Sequence, residues 1–164
     1  MFALTRKTDY ALVALTAMAS ASEMISARGL ADRLNLPLPV LRNILKRLTQ
    51  VGLVQSARGQ QGGYQLARDA QAISLVELIE AMEGPLRLTM CCRGADDPER
   101  EACEREGVCS IRRPVQRVHG LMRQFLSRVT LAQIAADDLP SDLTTMMSGR
   151  VESNGHRRIP VTNH

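Results

Sequence analysis

The segment from residue 39 to about residue 51 restricts the fold most, because its pattern fits an amphipathic helix with well-defined ends. Its apolar residues recur at i, i+3, i+4 and i+7, on one helix face: Leu41, Ile44, Leu45 and Leu48. Pro37 suits the turn before the helix, Pro39 its first turn, and Gly52 the residue just past its end. Such a helix must pack its apolar face on neighbouring elements.

Two helices are predicted before this one. Thr5 can cap a helix that runs to about Ser20, with buried residues expected among Leu4, Tyr10, Val13, Leu15 and Met18. Ser26 can cap a short helix from Ala27 to Leu34, which ends at Asn35. A short helix, a tight turn and an amphipathic helix together are typical of a helix-turn-helix motif.

The polar face of the third helix carries residue types that bind DNA. These residues are Arg42, Asn43, Lys46, Arg47 and Gln50. Guanidinium and amide groups read base edges, and cations neutralise phosphates, although such a face alone is more typical of a solvated surface. The helix-turn-helix context favours DNA, and the predicted DNA-binding set also includes Ser26, Pro39 and Val40.

A glycine-rich hairpin is predicted after the third helix. Two short strands, at 53–56 and 64–66, flank a tip that contains Arg58, Gly59 and a pair of glycines. Such a wing can place a cation, here Arg58 beside Gly59, in the minor groove. A phosphate-binding loop is excluded, because no Gly-Lys-Ser/Thr follows and no helix begins there.

The charge is distributed unevenly. Residues 1–68 contain nine Lys and Arg against three Asp and Glu, whereas residues 69–164 contain twelve against fourteen. This asymmetry is typical of a polyanion-binding module joined to a second function, with chance surface variation as the alternative. Because the sequence shows no secretory pattern and no apolar run of membrane-spanning length, we expect a cytoplasmic protein that contacts no membrane.

Two more helices are predicted in the second half. Ser74 and Glu77 form a capping box for a helix that ends at Gly84 and Pro85, and an extended segment, 86–90, follows. A long helix from about Ile111 to Val129 carries apolar residues at alternating spacings of four and three: Ile111, Val115, Val118, Met122, Phe125 and Val129. We expect a homodimer through this seam, and an ordinary core-facing helix is the alternative.

All four cysteines lie in a short acidic segment, at Cys91, Cys92, Cys103 and Cys109. In a reducing compartment, clustered thiols bind metal or sense redox state more often than they form disulfides. Structural zinc sites use cysteine pairs at closer spacing than is found here, whereas an iron–sulfur cluster accepts looser spacing. A redox-active thiol is the third possibility, because neighbouring arginines favour the thiolate form. The residues alone leave these three alternatives open. A thiol enzyme is excluded, because the three histidines offer no clear Cys–His pair.

Several segments resemble the Rrf-type family of winged-helix regulators, which includes IscR, NsrR and RirA. The similar segments lie within about residues 2–135: 4–12, 51–54, 58–64, 83–91 and 103–109. The resemblance implies a mainly α fold with a small β-wing, a winged helix-turn-helix plus a long C-terminal dimerisation helix. It also implies a homodimeric DNA-binding repressor whose iron–sulfur cluster controls operator binding. The branch that regulates SUF cluster-assembly genes is the most similar.

The resemblance implies specific cluster ligands. Cys91, Cys103 and Cys109 match three ligand positions, and Cys92 is an unmatched neighbour. Asp9 matches the position from which NsrR-like members supply a carboxylate across the dimer, although a first-turn acid is also favoured by the helix dipole. The chain departs from the family in its longer first gap and in Arg112, where IscR-like members carry a ligand histidine. A [2Fe–2S] and a [4Fe–4S] cluster both remain open, and His119 is expected at the surface.

Four parts are expected along the chain. They are a winged helix-turn-helix at 1–84, a cysteine-rich cluster-binding loop at 85–110, a dimerisation helix at 111–135 and a tail without fixed structure at 136–164. The alternative function is a cluster-free DNA-binding regulator that uses zinc or redox-active thiols.

Overall fold

The computed structural model describes residues 4–59, 62–92, 103–105 and 107–139, so most of the predicted tail lies outside the described residues. Six helices and two strands are found there: α1 (Arg6–Ala19), α2 (Ala27–Leu34), α3 (Leu38–Gln50), β1 (Val54–Ala57), β2 (Gly63–Leu66), α4 (Leu75–Glu83), α5 (Arg112–Arg128) and α6 (Leu131–Ala136). Short 3-10 turns lie at Ala70–Ala72 and Met90–Cys92. The predicted class, mainly α with a small β-wing, is confirmed. Across the described ranges, no helix has the length and apolar character that a membrane crossing requires.

The first two helices begin where their capping residues predict. Thr5 Oγ1 accepts a hydrogen bond from Thr8 N at 3.4 Å, and Ser26 Oγ accepts one from Gly29 N at 3.0 Å. Asn35 ends α2 with a left-handed φ of 50°. These caps fix the angle at which α2 leads into α3 through the short turn at Leu36 and Pro37.

The core lies where α1, α3 and α4 meet. The predicted apolar face of α3 is buried along its full length, with Leu41, Leu45 and Leu48 at 0% exposure. From α1 come Ala11, Ala14, Leu15 and Met18, and small alanines let the helices approach closely. The prediction that Leu4 and Val13 are buried was wrong, since they are 40% and 37% exposed. Leu4 precedes the helix, and Val13 lies off the face that points to the core.

The wing is joined to the helix-turn-helix by backbone hydrogen bonds. Strands β1 and β2 pair antiparallel from Val54 opposite Leu66 to Ala57 opposite Gly63. Ile25, just before α2, extends this pairing, since Ile25 N donates to Tyr64 O at 3.0 Å and Tyr64 N to Ile25 O at 2.9 Å. A Cβ on Gly63 would lie 2.7 Å from Ile25 O, so only glycine allows this approach.

The second half differs from the prediction in three places. Ser74 Oγ accepts from Glu77 N at 3.3 Å, but the Glu77 carboxylate pairs with Arg68, so the predicted capping box is half formed. A complete capping box instead begins α6, at Thr130 and Gln133. Met90 belongs to a 3-10 turn and is not extended. The short helix α6 packs on α1, a contact the sequence pattern did not predict.

Candidate functional site

The polar face of α3 is exposed beside the wing. Arg42, Asn43, Lys46 and Gln50 all lie on the solvent side, opposite the buried leucines. Within the described residues, the cationic groups of Arg42 and Lys46 have no hydrogen bond or ion pair, so both are available to a polyanion. Since a rigid, buried face supports them, α3 presents these groups as a fixed array.

Arg47 is exposed like its neighbours on α3, but unlike Arg42 and Lys46 it has a hydrogen-bond partner within the described residues. Its Nε donates to the backbone oxygen of Ala81, in the last turn of α4, at 2.9 Å. This bond satisfies a helix C-terminal carbonyl, which the helix itself leaves without a partner. The contact joins residues 34 positions apart, and sequence spacing gives no signal for it.

The other predicted DNA-binding residues surround this face. Ser26 is exposed, but its hydroxyl caps α2, and Pro39 is exposed in the first turn of α3. Val40 is half-buried and packs against the core. Arg58 and Gly59 are exposed at the wing, where the φ of 118° at Gly59 requires glycine. The structure therefore brings the wing cation and the α3 cations to exposed positions of one small domain.

The first two cysteines lie on the 3-10 turn that follows α4. The hydroxyl oxygen of Thr89 lies 3.1 Å from Cys91 Sγ and 3.3 Å from Cys92 Sγ, so both thiols converge on one polar group. The backbone oxygen of Cys91 accepts a hydrogen bond from Gln116 Nε2, on α5, at 2.7 Å. This hydrogen bond joins the cysteine turn directly to α5.

The other two cysteines precede α5. Cys103 and Cys109 are half-buried like the first pair, and all four are free thiols. The segment 93–102, which carries Arg93 and Arg100, lies outside the described residues, as does residue 106. In the described ranges, no three His, Cys, Asp or Glu side chains converge as a metal site would require, and exposed Asp9 lies in the first turn of α1.

Comparison with known proteins identifies the family. The profile of the Rrf2 family, described as an iron-dependent transcriptional regulator, matches residues 4–137. This chain belongs to the Rrf2 family. IscR of Photorhabdus laumondii, an HTH-type transcriptional regulator, is 29% identical to it over 161 residues, which cover 96% of this chain and 90% of that protein. The predicted family is confirmed, and the relatives are regulators of transcription, not enzymes.

Solved structures of similar proteins share the fold. The IscR of T. potens matches with a TM-score of 0.62 and 26% identity, over 84% of this chain and 89% of its own. CymR, the global cysteine regulator of B. subtilis, matches with a TM-score of 0.62 and 25% identity, over 84% and 98%. This Rrf2 protein is therefore a DNA-binding transcriptional regulator of the winged-helix type.

An iron–sulfur cluster, which the IscR resemblance implies, fits the donor chemistry of the segment. Thiolates are the ligands that such clusters use, and four free, partly exposed thiols stand on either side of residues 93–102. His119, which was expected at the surface and not as a ligand, is half-buried, and its Nε2 lies 2.9 Å from the backbone oxygen of Leu86. Its place opposite Leu86 depends on the packing of α5 against the segment after α4.

Helix α5 of this Rrf2 protein carries two adjacent apolar stripes. Of the predicted seam, Met122, Phe125 and Val129 pack on the core, and Val115 is half-buried. Ile111 and Val118 are 62% and 57% exposed, and Leu121, which the seam did not include, is 46% exposed. Alternating spacings of four and three keep the predicted residues on one narrow helix face, so their spacing carried no signal that Ile111 and Val118 would be exposed while Met122 and Phe125 pack on the core.

Proposed function

We propose that this Rrf2-family protein is a cytoplasmic, homodimeric repressor that senses iron–sulfur, iron or redox status through a cysteine-ligated cluster and controls SUF-type assembly genes. The observation that carries the proposal is the position of the four free thiols. They lie between the last turn of α4 and the start of α5, and the Cys91 turn is bonded to α5 at 2.7 Å. A change at the thiols therefore acts directly on the two helices that support the DNA-binding domain.

DNA would be bound by α3 in the major groove and by the wing in the minor groove. Exposed Arg42, Asn43 and Lys46 are suited to base edges and phosphates, and Arg58 to the narrower groove. The cations of this face lie in the half of the chain where basic residues outnumber acidic ones threefold, nine to three. Binding should therefore weaken steeply as the salt concentration rises.

Cys91, Cys103 and Cys109 are the proposed cluster ligands, with Cys92 as a substitute. Asp9 is exposed in the first turn of α1 and could complete the set across the dimer. When bound, the cluster supplies a redox- and iron-dependent link within the cysteine segment. Thr89 and Gln116 hold the first thiol pair and its backbone in place for that link.

Dimerisation is proposed through the exposed stripe of α5. Val118 and Leu121 on α5, and Ile111 at its N-cap, are large apolar side chains that are 57%, 46% and 62% exposed. A second copy of the chain would cover these side chains and set the spacing of the two α3 helices.

A cluster-free thiol regulator is the second candidate. The convergence of Cys91 Sγ and Cys92 Sγ on Thr89 favours it, because adjacent thiols at one hydroxyl can respond to oxidants without a metal. The likeness to CymR, a regulator of cysteine, points the same way.

A cysteine variant tests the proposed function. Operator DNA is first selected from a pool of random duplexes with anaerobically purified protein. The variant with Cys91, Cys103 and Cys109 all replaced by alanine should lose the difference in operator affinity between anaerobic and air-exposed protein. Cys92→Ala alone is the matched control and should keep that difference. Unchanged affinity and redox response in the triple variant would contradict the proposal.

A further inference from the structure

The last turn of α4, residues 80–83, is bonded by side chains or backbone of three other elements, and we call it the α4 junction. From α3, Arg47 Nε donates to Ala81 O at 2.9 Å. From the N-terminus of α1, Thr5 N donates to Glu83 Oε1 at 3.0 Å, and the Thr8 hydroxyl donates to the same oxygen. From α5, Arg123 pairs with Glu80, with Nη2 to Oε2 at 3.1 Å.

The α4 junction also adjoins the cysteine turn. Leu86 N donates to Glu80 Oε1 at 3.3 Å, while Leu86 O lies 2.9 Å from His119 Nε2 on α5. Five residues later, Cys91 O is bonded to Gln116 on the same helix. A continuous set of polar contacts therefore runs from the cysteine turn through α5 and the α4 junction to α3.

The bond from Arg47 fixes where α3 lies on this junction. Arg47 is exposed, like the other cations of α3, but its Nε–H donates to a backbone carbonyl of α4, a bond that depends on the shape of the guanidinium and not on its charge. The neighbouring Arg42 and Lys46 are exposed and have no partner in the described part of the chain. We infer that Arg47 is a positioning residue, which holds the recognition helix on the α4 junction and does not neutralise a phosphate. The inference rests on the role of α3 in DNA binding and deepens it.

Two substitutions separate the hydrogen bond from the charge. Arg47→Gln keeps an N–H donor at the same number of bonds from the backbone as Nε, but removes the charge. Arg47→Lys keeps the charge, but has a carbon where Nε was and moves the donor one bond further out. If Arg47 positions α3, the Arg47→Gln protein should behave like wild type and the Arg47→Lys protein should not. If Arg47 acts as a charge, the reverse is expected.

Two measurements on the full chain read out the result. The first is amide hydrogen exchange of α3 and of the α4 junction, which should be like wild type in Arg47→Gln and roughly 5–10-fold faster in Arg47→Lys. The second is the salt dependence of binding to a duplex of random sequence. Arg42→Gln is the control on the same helix. It should make the negative slope of log K against log salt shallower by about 0.9 for each phosphate that it no longer neutralises. Arg47→Gln should leave this slope unchanged.

Two results of these measurements would overturn the inference. One is wild-type exchange in Arg47→Lys, and the other is a slope in Arg47→Gln as low as that in Arg42→Gln. Neither measurement involves iron or the redox state of the thiols, so a failure here is distinct from a failure of cluster sensing. Thermal unfolding of each variant establishes that it is folded. A third contradicting result would be an Arg47→Gln protein that is unfolded while the Arg47→Lys protein is folded.

Discussion

At the scale of single residues, the contact between Glu83 and the start of α1 has a measurable consequence. The carboxylate accepts bonds from the hydroxyl of fully buried Thr8 and from Thr5 N at 3.0 Å. These bonds hold the pKa of Glu83 below its usual range, and the bond from the Thr8 side chain has the largest effect. Because the folded pKa is lowered, this stabilisation is present above the usual glutamate pKa and is lost as the pH falls through the lowered value.

Glu83→Gln should lower the free energy of unfolding at neutral pH. We expect a loss of about 1 kcal/mol, which is less than the roughly 1.5–3 kcal/mol typical of a hydrogen bond to a charged group, because the carboxylate is largely exposed. The difference from wild type should shrink as the pH falls, since the wild-type carboxylate then becomes protonated too. Urea unfolding from about pH 7 to about pH 3 measures both effects.

Thr8→Val is the matched control for this contact. It removes the hydroxyl but keeps the shape of the buried side chain, so its effect and that of Glu83→Gln should not be additive in the double variant. Additive losses would show that the two residues stabilise the fold separately.

Local capping could be predicted from the sequence at this scale, whereas these contacts could not. Thr5 and Ser26 cap their helices as expected, because a cap depends on residues within one turn. The bond from Thr8 to Glu83 spans 75 positions and that from Arg47 to Ala81 spans 34, so both depend on how the helices pack.

At the scale of elements, α5 combines a core contact with an exposed apolar stripe. Leu126 is buried and Met122 and Phe125 pack on the core, while Val118 is 57% exposed on the adjacent stripe. Helical periodicity predicted the helix bounds well but merged the two stripes into one seam. The separate helix α6 was missed because its six residues continue the apolar pattern, and a capping box at Thr130 interrupts the helix.

Val118→Glu should convert the proposed dimer into a monomer. A carboxylate buried between two copies of α5 has no compensating partner, so the dissociation constant should rise roughly 100-fold or more. Sedimentation velocity over a concentration series measures the shift. Ser127→Glu, which adds the same charge on the exposed polar side of α5, should leave the oligomeric state unchanged. A dimer that persists in Val118→Glu would place the interface elsewhere.

At the scale of the whole molecule, the cysteine segment lies between the DNA-binding domain and α5. The sequence predicted this order, because thiol clustering, the glycine-rich hairpin and the apolar periodicity are each visible in it. How the four thiols are arranged could not be predicted, since residues 93–102 carry no periodic pattern and their spacing suits several ligands. The contacts of Gln116 and His119 with the segment after α4 also depend on tertiary packing.

Anaerobic purification followed by visible absorbance, with iron and sulfide analysis, is the decisive test of cluster binding by this protein. We expect a brown protein with about two or four irons and matching sulfide per subunit, and loss of the colour in the Cys91, Cys103 and Cys109 triple alanine variant. A colourless protein that contains zinc, or no metal, would contradict cluster binding.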